Sequence, residues 1–176
     1  TVSLNDSAHL VTQSVDVLAG GTFVLNTSQS FPSLHVASGG TLTHAAGVAG
    51  LNLSIAGNLT VDEGGKISAD GKSSGSASSP GIGGICYQGG YIAAGSGYGG
   101  QGGQAQCGGV VGPAYGSVSA PTDLGSPSVH SSIAYAGGKI QLSVGGTFLL
   151  NGDLTARGTV GTFWQTGGTS GGSITV

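Results

Sequence analysis

The sequence predicts an all-β chain: a single-stranded parallel β-solenoid that carries a long glycine-rich loop. Three observations predict it. A unit of alternating strand, small-residue turn and second short strand recurs along the chain. Its spacing is about 18 residues, which fits one coil of a stacked solenoid. No segment of useful length carries the apolar periodicity of an amphipathic helix.

The repeats come in order. Val15–Phe23 resembles Leu34–Leu42, and both resemble Leu51–Leu59 and Ile140–Phe148. From Gly21 to Gly40 is 19 residues, and from Gly40 to Gly57 is 17. Alternation within each strand sends Leu, Ile, Val and Phe inward and Thr, Ser, Asn and Gln outward. Glycine at each corner supplies the backbone conformations of a sharp turn. One coil cannot bury its apolar side alone, whereas stacked coils share a continuous core.

Two copies extend further, into Lys66–Gly71 and Asp153–Gly158. Aligned, Lys66 falls opposite Asp153 and Asp70 opposite Arg157, so these are expected to be neighbouring rungs with cross-rung ion pairs. The chain then reads as one solenoid domain over 1–176, with rungs at about 1–71 and 138–176 and a loop excursion at about 72–137. That excursion holds Tyr87, Tyr91, Tyr98, Tyr115 and Tyr135, four of the five prolines and both cysteines. The aromatics and the cysteines favour an ordered loop over a disordered one.

Composition bounds the function. Asp, Glu, Lys and Arg make up 6% of the chain, against roughly 25% in an average soluble domain. The formal net charge is −3 and there is no Lys/Arg cluster, so nucleic-acid binding is not expected. No apolar run reaches the roughly 20 residues of a membrane span. Cys86 and Cys107 read as a disulfide in preference to two unpaired thiols, which implies an oxidising, extracytoplasmic compartment.

The strands at the two ends, Thr1-Val2-Ser3-Leu4 and Ile174-Thr175-Val176, open and stop in mid-rung. They suggest either a piece of a longer solenoid or ends completed by another subunit, and hence head-to-tail self-association into fibres. The Gly-Gly-Thr-Phe/Leu rungs, the Ile-x-Leu-x-Val strands and the loop Gly97–Gly103 resemble large secreted β-helical adhesins and surface proteins of microbes. That resemblance implies an extracellular, repetitive scaffold and transfers no catalytic residue.

Candidate chemistry is sparse. Gly95–Gly100 fits GxGxxG without a strand–helix context, and Gly71-Lys72-Ser73 lacks the earlier glycine of a P-loop. Asp62, Glu63 and Asp70 could form part of a calcium site, but an exposed turn explains them better. His9, His35, His44 and His130 read as isolated surface histidines rather than metal ligands. Asn5, Asn26, Asn52 and Asn58 stand in glycosylation sequons. The outward Thr column is too irregular for ice binding. Tyr87, Tyr91, Tyr98, Tyr115 and Trp164 could stack on sugar rings or cover a core beneath the loop.

The expected function is therefore an extracellular structural or adhesive module without catalytic residues, cofactor or metal, self-associating through its solenoid ends. A carbohydrate-binding module built on the loop aromatics is the alternative. A β-helical polysaccharide lyase or hydrolase ranks below both, because no clear set of converging carboxylates is visible.

Overall fold

A computed structural model describes residues 1–5, 13–73, 79–129, 134–159 and 167–176. All regular structure among them is β. The strands are β1 (Val2–Leu4), β2 (Val15–Val17), β3 (Thr22–Leu25), β4 (Gln29–Phe31), β5 (Leu34–Val36), β6 (Thr41–Thr43), β7 (Leu51–Ile55) and β8 (Leu59–Val61). They continue as β9 (Lys66–Ser68), β10 (Ile85–Tyr87), β11 (Tyr91–Ala93), β12 (Lys139–Val144), β13 (Phe148–Leu150), β14 (Asp153–Thr155) and β15 (Ser173–Thr175).

Three sheets have the strand orders β1-β3-β6-β9-β14, β13-β8-β5-β2 and β15-β12-β7-β4. The pairings among β1 to β9 and β12 to β14 are parallel. The small β10–β11 hairpin is antiparallel. From β4 onward the chain visits the third, second and first of these sheets in that order, again and again. Parallel strands need such a crossover, since a tight hairpin can join only antiparallel neighbours.

The chain divides into two compact units. The first comprises Thr1–Ala69, Ile140–Thr155 and Thr175–Val176. Its core is built from in-register apolar columns. Phe23, Leu42 and Ile67 are register partners and all are buried. Leu34 and Leu59 form a second column, Val17, Val36 and Val61 a third. Leu51 pairs with Ile140 and Leu53 with Leu142 across 89 positions of sequence (140 − 51; 142 − 53). Lys66 is likewise the register partner of Asp153.

The corner turns stack as well. Gly39 has φ +76°, a left-handed conformation that strains any residue with a Cβ. Its N–H donates to the Gly64 carbonyl at 3.0 Å and its own carbonyl accepts from Gly20 N–H at 3.0 Å. Turns thus continue the hydrogen-bond ladder between the paired strands. His44 departs from the surface position expected of it. It is fully buried, with Nδ1 2.8 Å from the Ala45 carbonyl oxygen. It lies two residues after the inward Leu42, so the strand alternation carried one step past β6 turns it into the core.

The second unit comprises Asp70–Lys139 and Ala156–Ile174. Apart from the β10–β11 hairpin and the ends of β12 and β15, its described segments form no strands. The segment 93–97 shows why. Ala94 and Gly97 donate to Gly84 and Gly81, Gly95 donates to Gly103, Ser96 donates to Gly168, and Gly112 donates to Gly95. One segment is therefore bonded to four others. A β-strand has two neighbours in one plane, so this segment is not part of a sheet ladder.

Cys86 and Cys107 form a disulfide within this unit. Its sequence separation is 21. Closing a loop of that length contributes about 3 kcal/mol in the chain-entropy model. Cys86→Ser/Cys107→Ser is accordingly expected to lower stability by about that amount, measured by chemical denaturation against the oxidised parent. An unchanged denaturation midpoint would contradict it.

Candidate functional site

Three surfaces gather polar or aromatic side chains. The first is a histidine bridge on the second sheet. Asp16 and His35 are register partners on β2 and β5, and Asp62 follows β8. His35 Nδ1 lies 3.0 Å from Asp16 Oδ1, and Nε2 lies 2.9 Å from Asp62 Oδ2. Both ring nitrogens face carboxylates, an arrangement that suits the imidazolium, which donates from both. The hydrogen bond to Asp62 is the main cause that raises the His35 pKa, with Asp16 adding to it and desolvation opposing.

The raised pKa fixes a pH dependence. The bridge contributes fully below the unfolded value of about 6.5 and is lost as pH rises through the raised folded value. The stability difference between the parent and His35→Gln is expected to shrink from pH 5 to pH 9, measured by denaturant titration. A difference independent of pH would contradict the bridge. The side chains are substantially exposed, so solvent screening keeps the effect small.

The second surface is the outer side of the third sheet. Alternation turns Phe31, Leu53, Ile55 and Leu142 inward, where they are buried. It leaves Ser30, Ser54, Gln141 and Ser143 exposed outside. Ser30 is the register partner of Ser54, and Ser54 of Ser143. Asn52 is the partner of Gln141. These residues, with Ser28 and Thr175, line a trough of about 410 Å³. The Asn52 Oδ1 atom is buried and has no hydrogen-bond partner.

The third surface is the β10–β11 hairpin. Tyr87 and Tyr91 are register partners, 70% and 59% exposed, and edge-to-face with centroids 5.5 Å apart. Ile85 is exposed beside them. Cys86, between Ile85 and Tyr87, anchors the strand through the disulfide. Tyr98 and Tyr115 are placed differently. They are half-buried and edge-to-face at 5.0 Å. The Tyr115 hydroxyl donates to the Leu124 carbonyl and accepts from Ser126 Oγ at 2.9 Å. Burial raises its pKa. Trp164 lies outside the described residues, as do His9 and His130.

The remaining candidates are dispersed. Asp62 is held by His35, Glu63 is exposed at its turn, and Asp70 Oδ1 accepts from Arg157 N–H in the second unit. Among the described residues no group of three His, Cys, Asp or Glu could hold a metal ion. Of the sequon asparagines, Asn26 donates to Asn5 Oδ1 and accepts from Ala45 N–H. Asn58 Oδ1 accepts from Thr147 N–H. Among the described residues no helix is long and apolar enough to cross a membrane. The repeat alignment set Leu51–Leu59 beside Leu34–Leu42 at a spacing of 17 (51 − 34), whereas Leu34–Val36 pairs with Leu59–Val61, 25 residues on (59 − 34), and Leu53–Ile55 pairs with Gln29–Phe31. That shift hid Asp62 as a partner of His35 and Ser30 as a partner of Ser54. No family model, no curated protein and no solved structure matches the chain.

Proposed function

We propose that the chain is an extracellular structural or adhesive module, and that its three parallel sheets are the faces of one β-solenoid. The observation that carries this reading is the register of Leu51–Ile55 with Ile140–Val144. Two blocks far apart in sequence are laid down as adjacent rungs, and the outer surface they create is polar and almost free of charge. Such a surface is built for extended contact rather than for a reaction centre. The disulfide favours an oxidising compartment.

Self-association end to end belongs to the same reading. Among the described residues, β1 and β2 are the last strands of their sheets. Beside these two lies an apolar hollow of about 340 Å³ lined by Val2, Val15, Val17, Leu18 and Phe23. Val2 and Leu18 are 63% and 67% exposed. Edge strands with an apolar lining invite pairing with another chain. Negative-stain electron microscopy across a concentration series tests it. Filaments with a constant axial repeat are expected; uniform monomers at every concentration would remove the fibre reading.

A second reading is favoured by the exposure of Tyr87 and Tyr91: carbohydrate stacking on the hairpin. Tyr98 and Tyr115 are better suited to covering the glycine-rich segments beneath them. Tyr87→Ala/Tyr91→Ala is expected to abolish retention on a saccharide column in this reading, with the thermal midpoint unchanged. Retention equal to the parent would discard it.

A further inference from the structure

We propose that the trough on the outer side of β4, β7 and β12 binds a neutral polysaccharide chain. This deepens the adhesive reading by assigning it a ligand class and a surface. The trough is lined by Ser28, Ser30, Asn52, Ser54, Gln141 and Ser143, which come from or adjoin three strands paired side by side. Serine hydroxyls in register repeat from rung to rung, at roughly the 4.8 Å spacing of neighbouring strands. That spacing is comparable with one pyranose unit of an extended chain. A saccharide lying along the stack would meet a hydroxyl or amide at each step.

The chemistry of the lining selects the ligand. Hydroxyls and carboxamides both donate and accept, as sugar hydroxyls do. None of the lining residues carries a charge. Uronic acids, sialic acids, phosphate esters and nucleic acids would therefore find no cationic partner. Asn52 Oδ1 sits buried without a donor, a state that calls for a partner. Turning the half-exposed carboxamide outward would let a sugar hydroxyl supply that hydrogen bond. The Asn52 amide and its partner Gln141 then fix the orientation, and the serines fix the register of the chain.

Asn52 also heads the sequon Asn52-Leu53-Ser54. A covalent glycan there would occupy the same space and is the competing occupant.

The test is isothermal titration of the full chain with cellohexaose, xylohexaose and mannohexaose, with trigalacturonate as the acidic control. Binding of at least one neutral hexasaccharide is expected, equal at low and high salt. Gln141→Ala and Asn52→Ala should each weaken it by roughly tenfold, and Tyr87→Ala/Tyr91→Ala is titrated beside them to separate the trough from the hairpin. Gln141 is exposed, so its variant keeps the test decisive if Asn52→Ala does not fold.

Four outcomes would overturn the proposal: no neutral hexasaccharide bound, preference for trigalacturonate, loss confined to the tyrosine variant, or a native glycan found on Asn52 by mass spectrometry. Filament formation is read separately by microscopy. Failure of the fibre reading therefore leaves this result interpretable, and the reverse holds too.

Discussion

Gly102→Ala is expected to destabilise the glycine-rich unit by about 2–4 kcal/mol, the range of severe overpacking. A Cβ at Gly102 would stand 1.9 Å from the Gly95 carbonyl oxygen, and the next nearest atoms are backbone too. Neither strand can step aside freely. Gly102 N–H donates to the Gly112 carbonyl at 2.9 Å, and Gly95 N–H donates to the Gly103 carbonyl at 2.8 Å. Moving either segment breaks bonds that no side chain would replace. Gly103 is the control, because a Cβ there meets nothing within 4 Å and its φ is not positive. Gly103→Ala should change stability by less than about 0.5 kcal/mol, as surface substitutions do. Thermal melts of the two variants decide it. Equal effects would mean that the segments are not packed through their glycines.

The second large effect is expected in the first unit. Leu42 is fully buried, between its register partners Phe23 and Ile67. Leu42→Ala removes most of that side chain from the middle of a column. The strands on either side are held by backbone ladders and cannot collapse far into the space. The loss should therefore lie at about 2–5 kcal/mol, as for buried leucines elsewhere. Ser143→Ala, on the exposed outer side of β12, should stay within about 0.5 kcal/mol. Denaturant midpoints compare the two. A small loss at Leu42 would mean that the column is not continuous.

Both expectations bear on what could be read from the chain before folding. Strand alternation in Leu51–Ile55 and Ile140–Val144 is a local signal, and it gives the all-β class and the inward residues directly. The cysteines, flanked by glycine in a chain with no other thiol, give the disulfide. The arrangement of the second unit was not legible. Its glycine content is visible, but composition alone equally fits a loose loop. Which glycine faces which carbonyl depends on segments that meet from 81 to 168, and no local pattern encodes that pairing.

The site was less legible still. Tyr87, Tyr98 and Tyr115 look alike in sequence, yet one is exposed and the other two are partly covered. Disulfide-anchored hairpin geometry separates them. His35 could be placed outward from its neighbours Leu34 and Val36. Asp16 falls opposite it in the aligned repeats, but Asp62 follows β8, which the repeat alignment did not set beside β5. His44 was misplaced as well. The alternation that buries Leu42 continues one step past β6, and it turns the His44 ring into the core.

The most direct measurement is the distance between spin labels attached to Thr60→Cys and Leu149→Cys in the disulfide-intact chain. These positions are register partners on β8 and β13, although 89 residues separate them in sequence (149 − 60). Adjacent strands lie about 4.8 Å apart, so strong dipolar broadening of the continuous-wave spectrum is expected. A spectrum equal to the sum of the two single-label spectra would contradict the adjacent-rung arrangement, and with it the extended outer surface on which the adhesive reading depends.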